Sequence, residues 1–376
     1  MLVSLWLSAC ASPPPLPNEG LFADRLFSAP SVKVDPASAL AVDDDMRQFL
    51  RERFAAKYPP VDLRHWFVDA LYSRGELQLE YDTAGTRNAS EAFHARAGNC
   101  LSLVLMTAAM AKEMGLRVRY QSVAIDETWG RQGSLYLSFA HVNLTLSERT
   151  TYYEGKVLGV DPLTIDFLPP KDLPRLRTRE IGEDTVIAMY LNNRAVEALA
   201  AGRMDDAYAW ARAAIGRAAD FDMAYNTLAV IYRNQRQPVL AERALQRVLE
   251  RRPDDVRALS NLALALRDQG RAAEADAVSR RLRAIQPEPP FAYFDRGVAA
   301  MEAGEYKLAR GLFLREIERA PHEHEFHFWL ARAELSLGNV DGARRQLTQA
   351  RDASSTPGDR RLYAAKLERL REGAAH

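Results

Sequence analysis

Between residues 188 and 357 one pattern recurs every 34 residues. Gly202, Gly270, Gly304 and Gly338 fall in one register, and Arg236 stands where the missing glycine would be. Ala207, Ala241, Ala275, Ala309 and Ala343 each follow five residues later. Pro253, Pro287 and Pro321 share a third register. Tyr225, Leu259, Tyr293 and His327 mark the first large position, with Leu228, Leu262 and Leu330 three residues on. A fixed period of this length constrains the chain more than any other feature. Each unit reads as a helix pair that cannot bury its faces alone, so the units must stack. The glycine makes the turn between the two helices, and the alanine lets them approach. Residues 359–371 then supply a solvating cap helix.

These registers resemble the tetratricopeptide repeat, in five copies. The resemblance implies an all-α superhelix over residues 186–376, with a groove whose natural cargo is a peptide or helix of a protein partner.

Upstream the grammar differs. Residues 43–58 carry Met46, Phe49, Leu50, Phe54 and Ala55 at helical spacing, and residues 65–72 and 90–96 read as two shorter helices. Residues 101–114 are apolar all round, which marks a buried helix, and Gly115 is its stop. Residues 117–125 have strand character, and 135–146 alternate strictly, with His141 and Asn143 on one face and Val142, Leu144 and Leu146 on the other. Residues 151–153 and 156–160, joined by Glu154-Gly155, are expected to complete an antiparallel sheet. Helices followed by strands predict an α+β domain over residues 36–175.

The N-terminus reads as a third region, a signal and tether over residues 1–35. Leu7-Ser8-Ala9-Cys10 looks like a bacterial lipobox, in which the cysteine carries lipid, and Pro13-Pro14-Pro15 reads as an extended tether. No basic residue precedes the apolar stretch, as a signal would normally have. Lipidation at Cys10 implies a periplasm-facing protein anchored in the bacterial cell envelope; the absence of Asp after Cys10 points to the outer membrane. With 50 Lys and Arg against 50 Asp and Glu, the chain has no basic field to hold nucleic acid. Two cysteines, Cys10 and Cys100, make no disulfide framework.

Cys100 opens the buried helix. A helix N-terminus carries about half a positive charge, which favours thiolate over thiol. A nucleophilic thiolate needs a base and a group to orient that base. His141 in mid-strand and Asp161 before Pro162 can supply both, with Asp166 as a nearby competitor for the acid. Taken singly, a cysteine in an apolar helix is an inert core residue, a strand histidine is merely hydrogen-bonded, and Asp-Pro opens a turn. Taken in this order, they point to a triad.

Three segments carry a resemblance to the transglutaminase-like (papain-like) cysteine peptidase superfamily: Arg96-Ala97-Gly98-Asn99-Cys100-Leu101-Ser102, Ala140-His141-Val142 and Gly159-Val160-Asp161-Pro162. The resemblance spans about residues 45–170. It implies Cys100 as nucleophile, His141 as general base and acid, Asp161 as the group that holds His141, and the Cys100 N–H as one oxyanion donor, with Tyr81 and the Asn99 side chain as candidates for the second. Many relatives carry an aromatic residue after or near the histidine; here Val142-Asn143 follow.

His322, His324 and His327, with Glu323 and Glu325, look like a metal cluster but lack a zinc pattern, and read as a solvated helix start. No cofactor is expected. The function expected is a cysteine hydrolase acting on amide or peptide bonds, with repeats that recruit a substrate or partner. The competing expectation is an inactive scaffold of the same fold that only binds proteins.

Overall fold

The computed structural model describes residues 20–373 apart from 55–61, 73–76, 78, 83–84, 133–134, 148–150, 154–155, 159–161, 168–176, 289–290, 322 and 355–356. Helices α1 (Asp44–Phe54) and α2 (Leu63–Tyr72) lead to a two-residue strand β1 (Glu80–Tyr81), a short helix α3 (Ala89–Ala95), a second two-residue strand β2 (Ala97–Gly98) and the long α4 (Cys100–Glu113). Every residue of α4 from Leu101 to Ala111 is buried, as an apolar helix with no wet face requires. Gly115, at φ +77°, ends it, with the Leu116 amide reaching back to the Ala111 carbonyl.

Strands β3 (Arg117–Gln132) and β4 (Leu135–Ser147) form the centre of an antiparallel sheet, with β7 (Leu163–Ile165) beyond β4 and β8 (Arg177–Ile181) beyond β3. Among the described residues, the strands β5 (Thr151–Tyr153) and β6 (Lys156–Leu158) pair with each other in a ladder separate from the main sheet. This corrects the expectation that they complete the main sheet. That sheet is completed instead by β7 and by β8, which comes from the stretch between the two expected domains.

The helical half follows the period. Its helices are α5 (Glu183–Ala200), α6 (Met204–Arg217), α7 (Asp222–Asn234), α8 (Pro238–Arg251), α9 (Val256–Asp268), α10 (Ala272–Ile285), α11 (Ala292–Glu302), α12 (Tyr306–Arg319), α13 (His324–Ser336), α14 (Val340–Ala353) and the cap α15 (Pro357–Gly373). The five register alanines are all fully buried, each where two helices of a pair touch. One core runs from the sheet and α4 through α5 to α9; a second gathers around Phe291, Phe294, Phe313 and Phe326, and a third joins α13 and α14 to the cap. Of α10, only Ala275 is buried, so the first core ends there.

Residues 20–35, assigned from sequence to a tether, lie against the repeats. The Tyr232 hydroxyl donates to the Leu21 carbonyl (2.7 Å) and accepts from the Ala23 amide (3.1 Å). Phe27 stacks on Tyr208 with ring centres 3.8 Å apart, and Ser31 donates to Asp206 from both its amide and its hydroxyl. Residues beyond them, Pro36–Leu40, form a short 3-10 helix that packs against α4 and α5.

The turn glycines take φ from +74° to +78°, and Arg236, standing in for one of them, is forced to +55°. A left-handed non-glycine residue costs about 1–2 kcal/mol, partly offset in glycine by the entropy of its unfolded chain. Arg236→Gly is therefore expected to stabilise the protein by roughly 0.5–1 kcal/mol, read as a higher midpoint in thermal or denaturant unfolding.

Candidate functional site

The site begins at the α4 N-terminus. β1 and β2 run parallel and in register, Tyr81 beside Gly98, so the strand pair delivers Tyr81 to the start of α4. Gly98 allows the close turn. A Cβ there would lie 2.6 Å from the Ser102 Cβ, which has no room to give. Asn99 caps the helix: its side-chain oxygen accepts from the Ser102 amide (2.9 Å) and from the Ser102 hydroxyl (2.8 Å). Its side-chain nitrogen donates to the Thr86 hydroxyl (3.0 Å). The cap leaves Cys100, partly buried, as the first helical residue, with its amide free of the helix ladder. Of the two N–H groups on the Asn99 amide nitrogen, Thr86 takes one.

Tyr81 is about half exposed and lies near the Cys100 backbone N–H. Burial of the hydroxyl pushes its pKa up to about 12, and charge at Cys100 adds to this against the opposing effect of the N–H. Tyr81 therefore keeps its proton at ordinary pH and remains a hydrogen-bond donor beside the sulfur.

His141, buried in β4, is near enough to Cys100 for the charge of each to bear on the other. Its Nε2 meets Asp166 Oδ1 at 2.7 Å. The acid beside His141 is thus Asp166. Asp161, the expected partner, lies outside the described residues. The sheet explains the choice. β7 pairs with β4 with Ile165 opposite Leu144, and one further step of that register puts Asp166 opposite Asn143, two residues from His141 on the same side of the strand. Asn143 closes the contact by donating from Nδ2 to Asp166 Oδ2 (2.8 Å). Sequence reasoning assigned Asn143 no role. The signal available was its spacing from His141, two residues along an alternating strand.

Burial alone would lower the His141 pKa. The hydrogen bonds and charges of Asp166 and Cys100 outweigh it and raise the value from 6.5 to about 9. The folded protein therefore holds this proton more tightly than the unfolded chain. The stabilisation is complete below about pH 6.5 and is lost as pH rises through about 9. A buried imidazolium held by a carboxylate can pass a proton to a leaving group.

The histidines near residue 324 do not assemble a site. His324 bonds the Tyr363 hydroxyl (2.8 Å); the two ring nitrogens of His327 face Gln346 (2.7 Å) and the Pro321 carbonyl (2.9 Å). His322 is outside the described residues. Among the described residues no group of three metal-capable side chains converges, and no helix is long and apolar enough to cross a membrane.

A family profile described as a tetratricopeptide repeat matches residues 226–289 and 294–357. This part of the chain is a tetratricopeptide-repeat array. The two matched segments meet at the break between the first and second cores. Solved structures similar to the chain include a thermophilic tetratricopeptide-repeat protein of Thermus thermophilus (20% identity, 48% of this chain and 98% of that one, TM-score 0.32). Others are PilF of Pseudomonas aeruginosa (17%, 49% and 84%, 0.31) and YrrB, a repeat protein with an unusual peptide-binding site (18%, 48% and 92%, 0.26). At these TM-scores nothing about the activity of this chain follows from them. No curated protein matches the chain.

Replacing the carboxylate tests the electrostatics directly. In Asp166→Asn, the His141 ring, followed by NMR titration, is expected to titrate well below about 9 and toward the ordinary histidine value of about 6.5. Asn143→Ala should shift it in the same direction by less, because Asp166 stays in place but loses its anchor.

Proposed function

We propose that the α+β part of this chain is a transglutaminase-like cysteine hydrolase acting on amide or peptide bonds, and that the repeats recruit its protein substrate or a protein partner. The observation that carries the proposal is the hydrogen bond between His141 and Asp166 beside Cys100, the first residue of a capped helix. In the proposed reaction the Cys100 sulfur attacks the amide carbonyl carbon. The oxyanion is met by the Cys100 N–H and the Tyr81 hydroxyl. His141 gives its proton to the departing amine, and a thioester remains on Cys100. Water then attacks the thioester and loses a proton to His141, and the sulfur leaves as thiolate. Asp166 holds the imidazole in place through both halves, in the role the family resemblance gives to Asp161. Nothing on the described part of the protein marks an amine site, which favours water over an amine as acceptor.

The decisive experiment is site-resolved alkylation with iodoacetamide, read by mass spectrometry of the Cys100 peptide. At pH 6.5 an ordinary thiol is largely protonated and slow. Cys100 is expected to react faster than an ordinary thiol and to slow by about tenfold or more in His141→Ala, the scale on which a paired base activates a thiol. Equal rates in the two proteins would support an inactive scaffold instead.

We also propose that Cys10 carries lipid and anchors the protein, facing the periplasm, in the bacterial outer membrane. Support comes from Leu7-Ser8-Ala9-Cys10 and the proline run behind it. Cells grown with a labelled fatty acid are expected to label the full-length protein but not its Cys10→Ala variant. Unlabelled wild-type protein would defeat the assignment.

A further inference from the structure

The first repeat helix is wired into the site through one residue. Thr86 is buried on the loop between β1 and α3, and each of its polar groups is taken. Its amide donates to Glu197 Oε1 (2.7 Å), and its carbonyl accepts from Arg194 Nη1 (3.1 Å). Its hydroxyl accepts from Asn193 Nδ2 (3.2 Å) and from Asn99 Nδ2 (3.0 Å). Three of those four partners belong to α5; the fourth is the cap of α4. Arg194 is itself held between Glu197 (3.8 Å) and Glu91 (3.9 Å). On the next residue, the Arg87 amide donates to the Ser102 hydroxyl (2.8 Å), so the same loop grips the capping arrangement from both sides.

Asn99 has two ends to fix. Ser102 holds the oxygen, and Thr86 holds the nitrogen. Without the second anchor the cap keeps only its Ser102 hold, and the first turn of α4, with Cys100 at its start, is less firmly placed. The bare helix start would exist without α5; its exact direction would not.

Resting on the hydrolase function proposed above, we infer that Thr86 is a positioning residue through which α5 of the repeat array aims Cys100, so that the array is a working part of the site and not an appendage.

The test uses the full-length protein and the ratio of the Cys100 alkylation rate at pH 6.5 to that at pH 9.5, which cancels changes in simple access. Thr86→Val keeps the shape and removes the hydroxyl; Thr86→Ser keeps the hydroxyl. Glu197→Ala removes the acceptor for the Thr86 amide; Glu197→Gln keeps one. The ratio is expected to fall about fivefold in Thr86→Val and Glu197→Ala, the change that follows loss of a capping interaction of ordinary strength, and to stay near the wild-type value in Thr86→Ser and Glu197→Gln. Should Thr86→Val not fold, Glu197→Ala decides alone, since the Glu197 side chain is partly exposed and its loss strands no buried charge. An unchanged ratio in Glu197→Ala, in a wild-type background where alkylation still depends on His141, overturns the positioning role and leaves the hydrolase standing. Wild-type alkylation with no dependence on His141 removes both.

Discussion

The hydrogen bonds from the Asn99 side chain at the start of α4 are the contact on which the rest of the site depends. A helix N-terminus leaves backbone N–H groups without partners, and a polar cap both satisfies one and sets where the helix begins. Because Asn99 takes the Ser102 amide, the helix starts one residue later, at Cys100. The sulfur is thereby placed at the positive end of a helix dipole. Gly98 permits the close approach behind the cap, and the burial of Leu101 to Ala111 keeps the helix rigid behind the thiol.

The sheet supplies the other half. β4 carries His141 and Asn143 two residues apart, and β7 returns beside it so that Asp166 meets both. An imidazole buried without a carboxylate would lose its proton. With Asp166 on one nitrogen and Cys100 nearby, it keeps one instead. The chemistry of the three groups is a property of the contact between an antiparallel sheet and a helix end, and no one of them has it alone.

The repeats enter this arrangement from the first helix. α5 shares the hydrophobic core of the sheet and of α4, and its Asn193, Arg194 and Glu197 hold the loop that braces the cap. The segment from Leu21 to Ser31 is drawn along the first two repeats by Tyr208, Tyr232 and Asp206. The division between the α+β part and the repeat array is therefore a division of sequence pattern more than of structure. The core itself divides later, after α9.

The helical array was legible in the sequence because its information is periodic: a turn that needs a left-handed residue and a contact that needs an alanine recur at fixed spacing, and the five alanines and the turn residues, Arg236 included, sit where the period puts them. The helix at residue 100 was legible for a related reason, since an apolar run with a capping asparagine and a closing glycine is local. The acid beside His141 was not. Asp161 and Asp166 lie five residues apart in the sequence, and placing Asp166 beside His141 requires the pairing register of β7 on β4, which no local pattern encodes. The roles of Thr86, Asn143 and β8 were hidden for the same reason: each is set by a partner far away in the chain. Local periodicity and capping determined the elements and the place of Cys100 at a helix start; the tertiary structure decided which distant side chains lie near it, because strand register and helix docking are fixed only when the core closes.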